Sequence, residues 1–145
     1  MIATTPEQSQ RLLACGVSPD TADMCWTTWE NDGEKITQLN VHDEYCYEVQ
    51  CLNPIPAWSL SALLGLLPKK IDIDGYPYRI SIYFESPDEP VIGNQWCLYY
   101  KPVKHTEKSH RIDDVAMYAD NLIECAVSMA IWLINMGLTL NQEKI

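Results

Sequence analysis

The stretch PAWSLSALLGLLP, residues 56–68, predicts a short helix with both of its ends marked in the sequence. Ser59 is a typical N-cap residue, and Trp58 before it can pack on Leu63 as a hydrophobic staple. Pro68 ends the helix, because a proline disfavours the helical conformation of the residue before it. Nearly every residue between these ends is apolar, so the rest of the fold must cover this helix. Capping explains Ser59, and ordinary helix packing explains Ser61.

Two further helix starts lie towards the N-terminus. Thr5-Pro6-Glu7-Gln8 combines a cap residue, a proline at the first helical position and the glutamine of a capping box. Gly16 is a natural stop for that helix. Ser18-Pro19-Asp20 repeats the start signal, so a second short helical turn is expected from Thr21 to about Met24.

The middle of the chain carries strand patterns separated by turn signals. Asn31-Asp32-Gly33 and Asp74-Gly75 are typical of tight turns. After the second turn, apolar residues alternate with polar ones as in a half-buried strand, and another strand is expected from Trp96 to Lys101. Weaker patterns predict strands on both sides of the first turn and near Tyr45–Val49. The alternating apolar residues are Tyr78, Ile80, Ile82 and Phe84, followed by Trp96, Leu98 and Tyr100 on one face of the next strand.

The last predicted element is a long helix. Asp113 or Asp114 opens it and Gly137 closes it, which gives about 24 residues and about 36 Å at the standard helical rise. Its second half, Ala126–Met136, has almost no polar side, and a helix that is apolar all round must be covered all round. We therefore expect a second layer of the domain or another chain to cover it. The candidate interface residues are Met129, Ile131, Trp132 and Met136.

These elements predict one α+β domain over residues 1–145. We expect an antiparallel sheet of three to five strands, with the long C-terminal helix and the short central helix packed on one face. A chain of 145 residues suits one domain, and its hydrophobic content of 47% is typical of a globular protein. The aromatic residues exceed what a small core needs, which favours a partner surface or an amphipathic rim to the core: Trp26, Trp29, Trp96, Tyr99, Tyr100 and Trp132.

Three phrases of the sequence carry a resemblance. They are QRLL at residues 10–13 with TADM at 21–24, PAWSLSALL at 56–64, and WLI at 132–134 followed by Gly137. In this order they resemble a family of small uncharacterised proteins from prophages and mobile elements of gut Bacteroidales bacteria. The resemblance covers most of the chain and implies a bacterial or phage cytoplasmic protein. It implies no activity and no site residues.

The net charge of −10 is distributed unevenly. Residues 20–48 contain eight acids and one lysine, whereas residues 49–112 contain six acids and seven bases. Nucleic-acid affinity comes from lysine and arginine, so we expect no direct nucleic-acid binding from so acidic a chain. The acidic stretch is either a solvated surface or a mimic of nucleic acid that meets a basic partner. Without a signal peptide or an apolar run of membrane-spanning length, the expected location is the cytoplasm, with no membrane contact.

The residues that carry metal or catalytic chemistry form no recognised motif. His42, Cys46 and Cys51 are the tightest set of candidate metal ligands, with His105 and His110 as distant additions, but zinc sites usually supply ligands in closer pairs. The six cysteines lack a Cys-x-x-Cys pair, which favours buried structural thiols. We therefore expect no metal and no cofactor. Two acidic sets are weaker candidates: Asp113, Asp120 and Glu124, a solvated helix side, and Asp72 with Asp74, a hairpin turn rather than a calcium loop.

The function predicted from these patterns is a non-enzymatic interaction or accessory protein of phage or mobile-element origin. Its partner is an unidentified protein or a second copy of the chain, bound through the apolar end of the last helix. The alternative is an acidic mimic or inhibitor of a nucleic-acid-binding protein. A small Cys/His metalloprotein or hydrolase is the third hypothesis.

Overall fold

The computed structural model describes residues 2–41, 52–85, 95–104 and 116–142. It confirms the α+β class, with helices and two antiparallel sheets of three and four strands. The strands that the sequence predicts in one sheet thus lie in two. The chain forms two compact units, Met1–Leu66 with Gln142–Ile145, and Leu67–Asn141. None of the described helices has the length and apolar content needed to cross a membrane.

The first unit contains α1 (Pro6–Ala14), a 3₁₀ turn (Pro19–Thr21) and α2 (Leu60–Leu66). Its sheet has the order β2-β1-β3, formed by β1 (Met24–Asn31), β2 (Glu34–Val41) and β3 (Leu52–Ala57). Helix α1 packs against β3. The capping box of Thr5 and Gln8 is present as the sequence predicts, and the Ser59 hydroxyl accepts the Ala62 N–H at the start of α2.

Thr4 joins three parts of the first unit although it belongs to no helix or strand. Its N–H donates to the Trp58 carbonyl at 2.9 Å, and its hydroxyl accepts the Trp58 N–H at 3.0 Å. Its carbonyl accepts the Trp26 indole N–H at 2.8 Å, and its hydroxyl lies 2.8 Å from that of Ser9. Thr4 and Trp58 are fully buried. These bonds therefore fix the start of the chain against the central tryptophan in a place that water does not reach.

The second unit contains a four-stranded sheet and one helix. The sheet has the order β4-β5-β6-β7, formed by β4 (Lys70–Ile73), β5 (Tyr76–Glu85), β6 (Gln95–Pro102) and β7 (Ala116–Ala119). The Asp74-Gly75 turn joins β4 to β5, and both residues have positive φ, 53° and 83°. Such a turn matches the twist of its strands and sets Lys70 opposite Arg79. The sheet is therefore a meander whose first register depends on one dipeptide.

Helix α3 (Leu122–Asn135) is shorter than the sequence predicts. A helix that runs unbroken from Asp113 or Asp114, as the sequence predicts, is wrong. Ala116–Ala119 pairs with β6 as strand β7 instead. Asn121 has an extended backbone and its side chain accepts the Glu124 N–H at 2.8 Å, so it caps the helix at this point. Gly137, with φ of 77°, follows its end as predicted. Residues 111–115, where the predicted start lies, are outside the described residues.

Helix α3 packs on β6 and β7. Residues directly opposite in an antiparallel pair share a face, so the register places Leu98 and Tyr100 with Tyr78 and Met117 on an apolar face. Tyr118 points to the other face and is 46% exposed, so α3 lies on the apolar face. There Leu98 and Tyr100 are fully buried, whereas Ile82 and Phe84 are 38% and 49% exposed. The buried side of α3 is formed by Ile123, Cys125, Ala126, Val127, Met129, Ala130 and Leu133.

We predict that Thr4→Val destabilises the protein by about 1–3 kcal/mol, because it leaves the buried Trp58 N–H without its hydroxyl acceptor. Thr4→Ser is the matched control, since it keeps the hydroxyl and removes only a methyl group. Urea unfolding followed by tryptophan fluorescence measures both. Equal losses in the two variants would show that packing, rather than the hydrogen bonds of Thr4, stabilises this junction.

Candidate binding face

The face of the four-stranded sheet opposite α3 carries a row of tyrosines. Tyr83 of β5 lies opposite Cys97 of β6, and Cys97 lies opposite Tyr118 of β7. Cys97 is fully buried, whereas Tyr83 and Tyr118 are 37% and 46% exposed. The thiol therefore forms the floor between two tyrosine rings that reach solvent. We call Tyr83 and Tyr118 the tyrosine row, and Tyr99 lies next to it.

The rings of the tyrosine row are held in place by their neighbours. The Tyr83 and Tyr99 rings meet edge to face, with centroids 5.4 Å apart and planes at 78°. Hydrogen bonds with Cys97 and Tyr118, together with burial, raise the pKa of Tyr83 well above its usual value. The phenol is therefore neutral at physiological pH. Tyr83 and Tyr118 offer fixed aromatic surface at a low entropic cost.

A basic row crosses the same face at Lys101, two residues from Tyr99 along β6. Lys70 of β4 lies opposite Arg79 of β5, and Arg79 lies opposite Lys101 of β6. All three are exposed. Like charges directly opposite each other destabilise a sheet, so this row has a cost that a bound anion would relieve. Asp72 lies on the same face, one row beyond Lys70 and opposite Pro77.

A middle row of one tyrosine and two small residues lies between the tyrosine row and the basic row. Ser81 and Ala116 lie on either side of Tyr99 in the middle row. Successive residues on one face of a strand are about 7 Å apart, so the basic row and the Tyr83–Tyr118 pair are about 14 Å apart. Across the strands each row covers about 10 Å. The face thus presents aromatic rings and cations within the reach of one small or extended ligand.

The thiols and the phenol of this sheet lie in shielded positions. Cys97 has no exposed surface, and the tyrosine hydroxyl of Tyr83 is neutral and hydrogen-bonded. On the helix side, Cys125 is buried, and its thiol donates to the Trp96 carbonyl at 3.4 Å. Burial raises the pKa of Cys125 to about 11, so this cysteine is a protonated thiol and a poor nucleophile at neutral pH.

The candidate interface residues predicted on the last helix lie in different environments. Met129 is fully buried and belongs to the core, so it is not part of a surface. Ile131 and Trp132 are half-buried, and Met136, just beyond the helix, is 56% exposed. Three of the four predicted residues therefore reach the surface of the described protein. Of the six aromatic residues predicted in excess of the core, Tyr100 is fully buried, and the other five are half-buried: Trp26, Trp29, Trp96, Tyr99 and Trp132.

The candidate metal ligands lie outside the described residues: His42, Cys46, Cys51, His105 and His110. Within the part of the chain that the structure describes, no three His, Cys, Asp or Glu residues come together as a metal site. Asp120 and Glu124 have local roles at the start of α3. Asp120 accepts a hydrogen bond from Asn121, and Glu124 accepts one from Ser128. Asp74 belongs to the hairpin turn, as the sequence predicts.

The acidic stretch that begins at Asp20 is described as far as Val41. Asp23 accepts hydrogen bonds from the Ser59 N–H and hydroxyl, and thus anchors the start of α2. Glu30 lies opposite Lys35 in the β1–β2 pair. Asp32 and Glu34 are exposed at the hairpin turn. Part of the acidic stretch therefore has a structural role, and the part at the hairpin faces solvent.

Sequence reasoning missed the basic row, although half of the signal was present. A two-residue turn at Asp74-Gly75 places Lys70 opposite Arg79 by counting back from the turn. The second pairing, Arg79 with Lys101, joins strands separated by residues 86–94, and no short turn fixes that register in the sequence. The two tyrosines of the row, Tyr83 and Tyr118, were not among the predicted surplus aromatics for the same reason.

Comparison of the chain with family models, with curated proteins and with solved structures gives no match. Function is therefore inferred from the contacts, the exposure and the charges of the described residues.

We predict that the free energy of unfolding falls as the pH rises from about 9 to about 11, and that Cys125→Ser reduces this fall. The pKa of the thiol is about 11 in the folded state, whereas its ordinary value is 9.0. Between these two values the thiol ionises in the unfolded state but not in the folded state, so the free energy of unfolding falls. Serine still donates to Trp96 but does not titrate there. Denaturant unfolding at a series of pH values measures the slope. An unchanged slope in Cys125→Ser would contradict the buried thiol.

Proposed function

We propose that this chain is a non-enzymatic interaction protein of phage or mobile-element origin, which acts as a homodimer through α3. The phage origin is supported by the resemblance of the three sequence phrases. The interaction role is supported by the composition and the exposure of α3.

Helix α3 contains a single charged residue, Glu124, among its 14 residues. A helix that has one face in the core normally carries charged and polar residues on the other face. Here Ile131 and Trp132 are half-buried rather than covered. Met136 follows Trp132 by four residues, so these two side chains are neighbours at the end of the helix. We call Ile131, Trp132 and Met136 the helix edge. Its exposed apolar area is the observation that carries this proposal.

A second copy of the chain suits the helix edge, because a two-fold interface uses the same patch on both partners. Two antiparallel or crossed copies of α3 would bring Trp132 of one chain against the apolar edge of the other. Tryptophan at the centre of such a contact is a typical anchor residue. The edge itself has no charge, and the one carboxylate on the same side of α3, Glu124, accepts a hydrogen bond from Ser128.

We predict a dimer in solution that Trp132→Lys converts to a monomer of 16.6 kDa without unfolding. Placing a charge in an apolar interface removes the anchor and costs the desolvation of the ammonium group. Light scattering after size-exclusion chromatography gives the mass, and circular dichroism gives the fold. Thr139→Lys, an exposed position beyond the helix, is the control that adds the same charge.

Three outcomes would contradict the homodimer. They are a wild-type protein that is monomeric at the highest soluble concentration, a Trp132→Lys variant that stays dimeric, and a variant that unfolds, which would make Trp132 a core residue. Salt separates this proposal from the acidic mimic, which the exposed Asp32 and Glu34 favour. An apolar interface responds little to salt, whereas capture of a basic partner weakens steeply as salt rises.

A further inference from the structure

The open sheet face combines two features that the homodimer does not use. One is the tyrosine row, whose rings reach solvent while their hydroxyl groups are satisfied within the protein. The other is the basic row of Lys70, Arg79 and Lys101, in which three like charges lie side by side across three strands. Aromatic rings and cations on one face fit a ligand that carries flat rings and negative charge at a regular spacing.

We propose that this open face binds single-stranded nucleic acid, with unpaired bases on the tyrosine row and phosphates on the basic row. The proposal goes beyond self-association, because it uses the side of the sheet opposite α3. Tyrosines on an open sheet stack on unpaired bases, and lysine and arginine beside them neutralise the backbone. A face of about 14 Å by 10 Å suits two or three nucleotides.

The single-stranded form is favoured over a duplex by the position of the rings. In a duplex the bases are stacked on each other inside two backbones, so the exposed edges of Tyr83 and Tyr118 would meet only phosphate and sugar. An acidic peptide would satisfy the basic row but would leave the tyrosine row without a role. The small residues Ser81 and Ala116 beside Tyr99 leave room for a strand to run from one row to the other.

The net charge of −10 lowers the expected affinity for nucleic acid, but it does not exclude this binding. Residues 49–112 carry seven bases against six acids, so the negative charge is concentrated in other parts of the sequence. Charges separated by more than about 8 Å are largely screened at physiological salt. Three phosphate contacts on a single strand give a slope of about −2 in a plot of log affinity against log salt.

Fluorescence anisotropy of a labelled oligouridine of about ten nucleotides tests this proposal, with the matching oligothymidine as the DNA arm. We expect both to bind at low salt and to lose about fifteenfold in affinity between about 50 and 200 mM salt. Arg79→Gln should weaken binding and flatten the salt slope by about one third. Tyr118→Ala should weaken binding by about tenfold, whereas Tyr118→Phe, which keeps the ring, should bind as the wild type does.

Lys104→Gln is the matched control for charge, since Lys104 is exposed but lies outside the basic row. It should leave affinity nearly unchanged, and circular dichroism checks the fold of each variant. Trp132→Lys should bind the oligonucleotides, which separates this proposal from the homodimer. The proposal would be overturned by absence of binding at low salt, or by equal affinity of Tyr118→Ala and Tyr118→Phe. Binding of polyglutamate, polyphosphate or a duplex as tight as that of the single strand would overturn it as well.

Discussion

The two faces of the four-stranded sheet depend on its register, and the register begins at the Asp74-Gly75 turn. Both residues adopt positive φ, a conformation that glycine and aspartate tolerate better than most residues. A slip of one residue would move every side chain of a strand to the opposite face. A slip of β5 would thus turn Tyr78 towards solvent and Arg79 towards the apolar face. The cost of that exchange holds the pairing in place.

This register separates two tasks within one small unit. Helix α3 packs on the apolar face, where Ile82 and Phe84 stay exposed, and its buried side is almost free of polar atoms apart from the Cys125 thiol. The other face has no described helix over it and collects the tyrosine row and the basic row. The packing that stabilises the unit and the proposed binding therefore use different sides of the same strands. The helix edge of α3, whose residues are half-buried or exposed, is the surface that the proposed homodimer uses.

The sequence predicted the parts of the fold that depend on neighbouring residues. The Thr5 capping box, the Ser59 cap, the Asp74-Gly75 turn and the strand after it all follow from local chemistry, and the structure confirms them. The predicted alternation of burial along β5 holds at Tyr78 but not at Ile82 and Phe84, which are exposed. The predicted start of the last helix was wrong because the sequence of Ala116–Ala119 fits a helix or a strand. Its pairing with β6 makes it a strand. The burial of Met129 also depends on which side of α3 meets the sheet.

The candidate binding face could not be predicted from the sequence, because its residues come from four strands. Lys70, Arg79 and Lys101 are ordinary surface cations in the sequence, and only the pairing of β5 with β6 makes them a row. Hydroxyl-radical footprinting with mass spectrometry tests the register on which this face depends. The account predicts rapid oxidation of Tyr83 and Tyr118, with Tyr78 and Tyr100 protected until the protein unfolds. Equal oxidation of all four, or protection of Tyr83 and Tyr118 with oxidation of Tyr78 and Tyr100, would contradict it.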